Sequence, residues 1–539
     1  MENYIRSRVE VLELLGVLMN YPIRSNYKDY WVISITPDFA LDIGYTYAGG
    51  LGVLEGDKFY AAAKLGLKYI VLTLLYNGGY VAYDFDNGNP IPKPQPQPEE
   101  FTKLLSLDDG FKIRLKGVEV EVEALKYQLN TAKAIFFKVS SPDWAIKIIE
   151  RLYIENSLEE KFLKYTLLAK ASAEYLRRNM NLEALMYIDL QEAYAALLPL
   201  LLKIPGRYRM VIHTAGPWGH PLIPRGFFES EYGYRFLEPE VPLTEIGLAV
   251  SRQVFAVSAK HLDMLLKIFP HYGEKMSYVT NGVNIDRWMN IEMREKYENH
   301  ELTLDEFVKL KQKAKEDLGR FIRGFKDVDL DGKLVVSWCR RLVPYKRPFF
   351  ISRLIEELKN REIIFIIGGK AHPQDPAGLE YMKTFRKMHR ENENVIYMSE
   401  YDVNAAKNIM AGSDLLLFTP LSGWEACGTS YMKAAINGTP TISSRDGGVI
   451  ELIVDGVNGW LFGQDLREFI DFNNFRVNEI NNMEYSEFRD KVCKVYEMYF
   501  NDPQGFYRVS LNALRSFIPR VSMERVLREY YPGLIRVIA

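Results

Sequence analysis

Short apolar runs recur along the chain, most of them bounded by stretches of helical spacing or by glycine and proline. Five fall early: Tyr30–Ile35, Lys68–Tyr76, Met186–Leu190, Arg209–Ala215 and Val254–Ser258. Five more follow: Lys333–Trp338, Glu362–Gly369, Asn394–Ser399, Asp414–Pro420 and Thr439–Ser444. Nearly continuous apolar runs of this length predict strands buried on both faces of a parallel sheet. Strands alternating with helices predict an α/β fold with two doubly wound, Rossmann-like sheets. Ligands of such sheets dock beyond the carboxyl ends of the strands, so two facing sheets would make a deep cleft between domains.

The charged, helical stretch Glu292–Lys326 separates the two sets of runs and predicts the domain boundary. The expected division is residues 1–290, residues 291–515 and a terminal helix within 516–539. In Pro519–Ile535 the periodicity puts Val526, Leu527 and Tyr530 on one apolar face, which predicts a helix that packs back on the first domain. The proline-rich Asn87–Glu100 predicts a surface loop, because proline suits neither a helix interior nor a central strand. Met1–Pro22 is amphipathic and broken by charges, without the basic start, apolar stretch and small-residue cleavage site of a secretory signal. No window of about 18 uninterrupted apolar residues occurs, so no membrane span is expected.

Composition narrows the chemistry. The 539 residues exceed what one core needs, and 47% hydrophobic with 26% charged residues is a globular balance. A formal net charge of −2 supplies no overall field for nucleic acid or an anionic membrane. Any phosphate chemistry must come from a local basic cluster. The three cysteines, Cys339, Cys427 and Cys493, lie far apart and are odd in number, which argues against a disulfide framework and a cysteine zinc site, and suits a reducing cytoplasm.

Five segments carry candidate chemistry. Gly49, Gly50 and Gly52 precede a helical pattern at Phe59–Leu67, where bare backbone N–H groups can approach an anion, although most short glycine-rich turns are plain tight turns. Arg340, Arg341, Lys346 and Arg347 crowd four cations just past the run Lys333–Trp338, suited to phosphate or to a solvated turn. Gly428, Thr429 and Ser430 open a helix that Asn437 and Gly438 close, and Lys433 follows one turn in. An amine near a helix start that holds a phosphate is what a pyridoxal phosphate site needs, although most helix lysines simply face water. His213 follows a strand and either lines a cleft or is satisfied locally. Asn281–Gly282 is a turn signal, and Asn281 is also suited to a sugar hydroxyl.

Together these segments resemble the pyridoxal-phosphate-dependent α-glucan phosphorylases (glycogen, maltodextrin and starch phosphorylases), in their compact microbial form. The resemblance runs in order through YAGGLGVLEGDK, HTAGPWGH, VTNGVNIDRW, RRLVPYKRP, GGKAHPQDPAG, EACGTSYMKAAING and PRVSMERVLREYY. It implies a GT-B-like glycosyltransferase fold and pyridoxal 5′-phosphate as cofactor. The implied activity is release of glucose 1-phosphate from the non-reducing end of glycogen or maltodextrin by inorganic phosphate, with retention. Lys433, Arg341, Lys346 and His213 are the implied catalytic set. Lys433 would bond the cofactor's aldehyde, with Arg340, Thr429, Ser430, Gly49 and Gly50 around its phosphate and the substrate's. Glu425, Cys427, Gly428, Asn281, Gly50 and Leu51 would contact sugar. The family also points to a homodimer; no metal is expected, and the charge balance leaves no nucleic-acid or membrane partner expected.

One position separates sister families. Glycogen-synthase-type transferases carry a glutamate eight residues after the first glutamate of this block, where Glu425 is followed here by Lys433. Against the phosphorylase reading stand a nucleotide-sugar-dependent retaining glucosyltransferase and a non-catalytic glucan-binding relative. Departures from the family pattern are Cys427, Tyr431, Gln191–Tyr194 without the family's histidine, and Asp38, and they bear on acceptor preference and glucan length. The chain starts close to the common core, so little control by phosphorylation or nucleotides is expected.

Overall fold

The computed structural model describes residues 30–538. The amphipathic pattern of Met1–Pro22 lies outside them. The strands in chain order begin with β1 (Trp31–Ile35), β2 (Tyr69–Leu74) and the hairpin β3 (Ala82–Asp86) and β4 (Asn89–Lys93). Then come β5 (Ser106–Leu115), β6 (Val118–Leu129), β7 (Ala132–Ser141), β8 (Leu185–Gln191) and β9 (Tyr208–Val211). The short pair β10 (Leu222–Pro224) and β11 (Glu240–Pro242) precedes β12 (Gln253–Ala256) and β13 (Met276–Tyr278). The last six are β14 (Leu334–Cys339), β15 (Ile363–Gly368), β16 (Val395–Met398), β17 (Leu415–Phe418), β18 (Thr441–Ser444) and β19 (Trp460–Phe462). All ten apolar runs form strands.

The chain is mixed α/β and divides into two compact units. Among the described residues the first comprises 30–80, 94–279 and 526–538, and the second 81–93 and 280–525. The stretch Glu292–Lys326 contributes helices Ile291–Glu298 and Leu304–Ile322 to the second unit, and the chain passes between units at Val279–Thr280. In the second unit the strand order is β16-β15-β14-β17-β18-β19, and every pair is parallel. All residues of β14, β15, β17 and β18 are buried, and β15 and β17 are built almost wholly of Ile, Leu and Phe.

The first unit departs from a purely doubly wound sheet. Its order is β13-β12-β9-β8-β1-β2-β7-β6-β5, parallel as far as β7 and antiparallel through β6 and β5. The meander escaped the sequence reading because its strands alternate rather than run apolar. In VEVEVEA of β6, Val120, Val122 and Ala124 are buried while Glu119 and Glu121 face water. The expected loop at Asn87–Glu100 is also corrected. Asn89–Lys93 is a strand, and Glu99–Lys103 starts a helix. Asn87 and Gly88 both take positive φ, the turn a two-residue hairpin requires. Pro90 and Pro92 lie two apart and so share one edge, which a two-stranded hairpin can leave unpaired. That hairpin belongs to the second unit, where the Tyr83 N–H donates to Glu400 Oε1 (3.0 Å) and its hydroxyl to the Ala371 carbonyl (3.0 Å).

The terminal helix Met523–Tyr530 buries Val526, Leu527 and Tyr530. It is tied to the first unit by a buried charge pair. Arg209 and Asp189 face each other across β9 and β8, and two guanidinium nitrogens reach the carboxylate at 2.7 and 2.8 Å. The third donates to the Tyr530 carbonyl (2.7 Å), and the Tyr531 hydroxyl donates to Asp189 Oδ2 (2.5 Å). No helix among the described residues is long and apolar enough to cross a membrane.

Arg209→Met is expected to cost about 3–5 kcal/mol, since it strands the Asp189 charge in the interior. Thermal unfolding would show it as a lowered midpoint. Adding Asp189→Leu should recover most of the loss; an equal loss in both variants would assign the effect to packing instead.

Candidate active site

The second sheet has a point where strand order reverses. From β14 the chain builds outward through β15 and β16, then returns to lay β17, β18 and β19 on the other side. A crevice therefore opens beyond the carboxyl ends of β14 and β17. Arg340 is the first residue past β14. Its backbone packs so closely on Gly369 (φ +134°) that a Cβ there would lie 2.0 Å from the Arg340 carbonyl oxygen. Its guanidinium lies 3.7 Å from the centre of the Phe418 ring and donates from Nη2 to Glu425 Oε2. Its Nη1 is buried without a hydrogen-bond partner among the described residues.

The four clustered cations serve different ends. Lys346 is buried, with Nζ 3.7 Å from Glu425 Oε2. Burial pushes its ammonium down to about 7; Glu425 opposes this, while Arg340 and Arg341 add to it. Burial would raise the Glu425 carboxyl, but Lys346, Arg340 and Arg341 outweigh it and hold the acid below its ordinary range. Arg341 is exposed. Arg347 points away into the core, fully buried, with its guanidinium on the Thr419 and Pro420 carbonyls (2.8 and 2.9 Å) and on Glu484 (2.5 Å). It takes a left-handed φ of +55°, a strain of roughly 1–2 kcal/mol for a residue with a Cβ, offset by those bonds. So the turn that presents Lys346 is pinned from beneath.

The helix after β17 runs Ser430–Ala435 with Thr429 as its cap. Gly428 sits just before it, where a Cβ would lie 2.6 Å from the Phe418 ring and 3.5 Å from Arg340 Nη2. Lys433 does not face water. It is 7% exposed, with Nζ 3.8 Å from the centre of the Trp288 ring. Asn437 holds that pair together, since its side-chain amide donates to the Trp288 and Lys433 carbonyls (2.9 and 2.8 Å) and accepts from the Asn290 N–H (2.8 Å). Asn281, expected as a turn residue, lies outside any helix, strand or turn, two residues before Val283, which bridges to Ser522. Its amide donates to the Cys427 carbonyl (3.0 Å). Burial pushes the Cys427 thiol up to about 12, so it is a neutral group.

Sequence reasoning missed Asp446. This buried carboxylate accepts four backbone N–H bonds, from Gly423 (2.8 Å), Trp424 (3.1 Å), Glu425 (2.7 Å) and Gly447 (2.9 Å). It thereby fixes the loop that carries Glu425. The one visible signal was an acid directly before two glycines, Gly447 and Gly448.

Gly49, Gly50, Leu51 and His213 lie in the first unit. The helix expected at Phe59 begins nine residues earlier, spanning Gly50–Lys64 with Gly49 as cap, so the glycines form its start. Gly50 is exposed, and a Cβ there would meet nothing within 4 Å. Packing therefore does not require that glycine. Leu51 is half-buried. The His213 ring donates from Nε2 to the Gln191 side-chain oxygen (2.8 Å). Burial, then the Lys58 charge, hold its basicity well below the ordinary value, so the imidazole is neutral.

Asp446→Asn would leave at least one of the four loop N–H groups without an acceptor, at about 1–3 kcal/mol for each buried donor. Hydrogen exchange over Leu421–Cys427 should then speed up by roughly tenfold or more. Unchanged protection there would mean that Asp446 does not hold the loop.

Residues 290–516 match the family described as carbohydrate phosphorylase. A maltodextrin phosphorylase from Thermococcus litoralis is 26% identical, over 90% of this chain and 68% of its own length. A glycogen phosphorylase from Aquifex aeolicus is likewise 26% identical, over 98% of this chain and 90% of its own. An uncharacterised protein from Methanocaldococcus jannaschii is 25% identical over 91% of this chain and 96% of its own. The family match falls on the unit that gathers Arg340, Lys346, Glu425 and Lys433, and over most of its length the chain is similar to glucan phosphorylases.

Proposed function

We propose that this chain is an α-1,4-glucan phosphorylase of GT-B-like architecture. It moves glucosyl units between the non-reducing end of glycogen or maltodextrin and inorganic phosphate, with retention. One observation carries the reading: the buried Arg340 guanidinium, one nitrogen unpartnered, beside the bare α-carbon of Gly428, with Lys433 buried one turn into the helix that begins there. Similarity to a maltodextrin phosphorylase and a glycogen phosphorylase supports it.

These residues fit pyridoxal 5′-phosphate. Arg340 offers an open N–H to a phosphate, Thr429 and Ser430 offer backbone N–H groups at a helix start, and Lys433 offers a buried amine for the aldehyde. When bound, the cofactor would supply a phosphate group able to share a proton with the substrate phosphate. Arg341 and Lys346 bind inorganic phosphate and make two adjacent phosphates tolerable. The backbone at Gly49, Gly50 and Leu51, at the start of a 15-residue helix, favours negative charge. Glu425, Cys427 and Gly428 receive the glucose hydroxyls, and His213 and Asn281 serve the rest of the sugar. As the glycosidic C–O bond breaks, the departing glucan oxygen takes the proton of the substrate phosphate. A phosphate oxygen then bonds the anomeric carbon from the same face. The first unit takes the glucan, and the whole acts as a homodimer in the cytoplasm.

Denaturing the purified protein should release near-stoichiometric pyridoxal phosphate, and none from Lys433→Ala. No cofactor from adequately supplied wild type would sink the proposal and turn attention to nucleotide-sugar transfer. Lys346→Ala should lower turnover on the order of 100-fold or more; near-normal turnover would remove Lys346 from the site. Lys346 is charged below about 7 and loses its proton above it. The KM for phosphate should therefore rise as pH climbs through that value, and Lys346→Arg, whose guanidinium stays charged, should flatten the rise. Identical pH profiles would assign the change to another group.

A further inference from the structure

The first sheet has its own reversal point, between β1 and β8, whose carboxyl ends are Ile35 and Gln191. Glu192 comes next in the chain and carries two anomalies. Its φ is +67°, a left-handed value costly for a residue with a Cβ, and such strain persists where the surroundings enforce it. Its carboxyl is buried and split in role. Oε1 accepts from the His213 N–H (3.0 Å) and the Thr214 hydroxyl (2.6 Å), while Oε2 has no hydrogen-bond partner among the described residues.

Glu192 therefore anchors the root of the turn that leaves β9. Further along, the Gly219 N–H closes on the Gly216 carbonyl (3.1 Å). A Cβ on Gly219 would lie 2.5 Å from the Thr214 side chain, and one on Gly216 would lie 2.0 Å from the Trp218 ring. Both bare α-carbons let the turn fold tightly, and the indole rests directly against backbone. Trp218 is nevertheless 48% exposed. A lone exposed aromatic is unremarkable in itself. This one packs against the α-carbon of a glycine, on a turn rooted in a buried carboxylate, past the carboxyl end of β9, the side on which ligands of such sheets dock. A sugar ring complements that arrangement, with a C–H face for the negative face of the indole and hydroxyls for nearby acceptors.

We propose that Trp218 is the stacking platform of a further glucan subsite in the first unit, with Glu192 as the positioning residue that holds its turn. This rests on the α-glucan reading above. The test is calorimetric titration of maltoheptaose into the full-length protein and its variants, alongside phosphorolysis by the wild type. Trp218→Ala should weaken binding about tenfold, as losing one stacking contact does, and Trp218→Phe should restore most of it. Glu192→Gln keeps an acceptor oxygen and should bind like wild type, whereas Glu192→Ala should bind as weakly as Trp218→Ala. If Trp218→Ala binds within about twofold of an active wild type, the subsite falls and the phosphorylase reading stands. A wild type that neither binds maltoheptaose nor phosphorolyses it would overturn both.

Discussion

Two cations converge on one carboxylate. Arg340 donates to Glu425, and Lys346 lies 3.7 Å from the same oxygen, just past the reversal point of the second sheet. A phosphate site of the kind proposed must gather positive charge where little water reaches, and without a counter-charge the cations would repel one another. Glu425 supplies that counter-charge, and the neighbouring cations keep it ionised despite burial. The compensation is incomplete. Lys346 is still pushed down to about 7 and Arg340 still has an unpartnered nitrogen, so the pocket retains an appetite for an anion.

Everything nearby serves to hold that triad. Asp446 fixes the Glu425 loop through four backbone bonds. Arg347 anchors the Lys346 turn from inside the core, although it reads in sequence as one more basic residue of a binding cluster. Asn437 locks Trp288 to the helix that bears Lys433. In each case a buried polar group is satisfied by backbone, which restricts the functional side chain to one place.

The two units handle strain in the same manner. Arg347 and Glu192 both take left-handed backbone, and both follow a strand or turn that delivers functional groups to a sheet edge. Each is held by hydrogen bonds or buried contacts that a solvent-exposed turn would not supply. Neither conformation is visible in sequence, because no glycine marks it.

What could be read from sequence was whatever local pattern dictates. The ten strands announced themselves as runs rich in apolar residues, since a parallel strand covered on both faces has few polar positions to spare. The glycine-rich start, the basic cluster and the Gly428–Lys433 block were legible for the same reason: their residue types are constrained within a few positions. The alternating meander was also written locally, in VEVEVEA, but to a different period. What only the tertiary structure decided was pairing between residues far apart in the chain. Among Arg340, Arg341, Lys346 and Arg347, sequence shows four equivalent cations. Their division into Glu425 partners, an exposed arginine and a core anchor depends on Glu425, Glu484 and the carbonyls after β17, which lie some 70 to 140 residues away. Charge is local to a residue, but its use is set by what the fold buries against it.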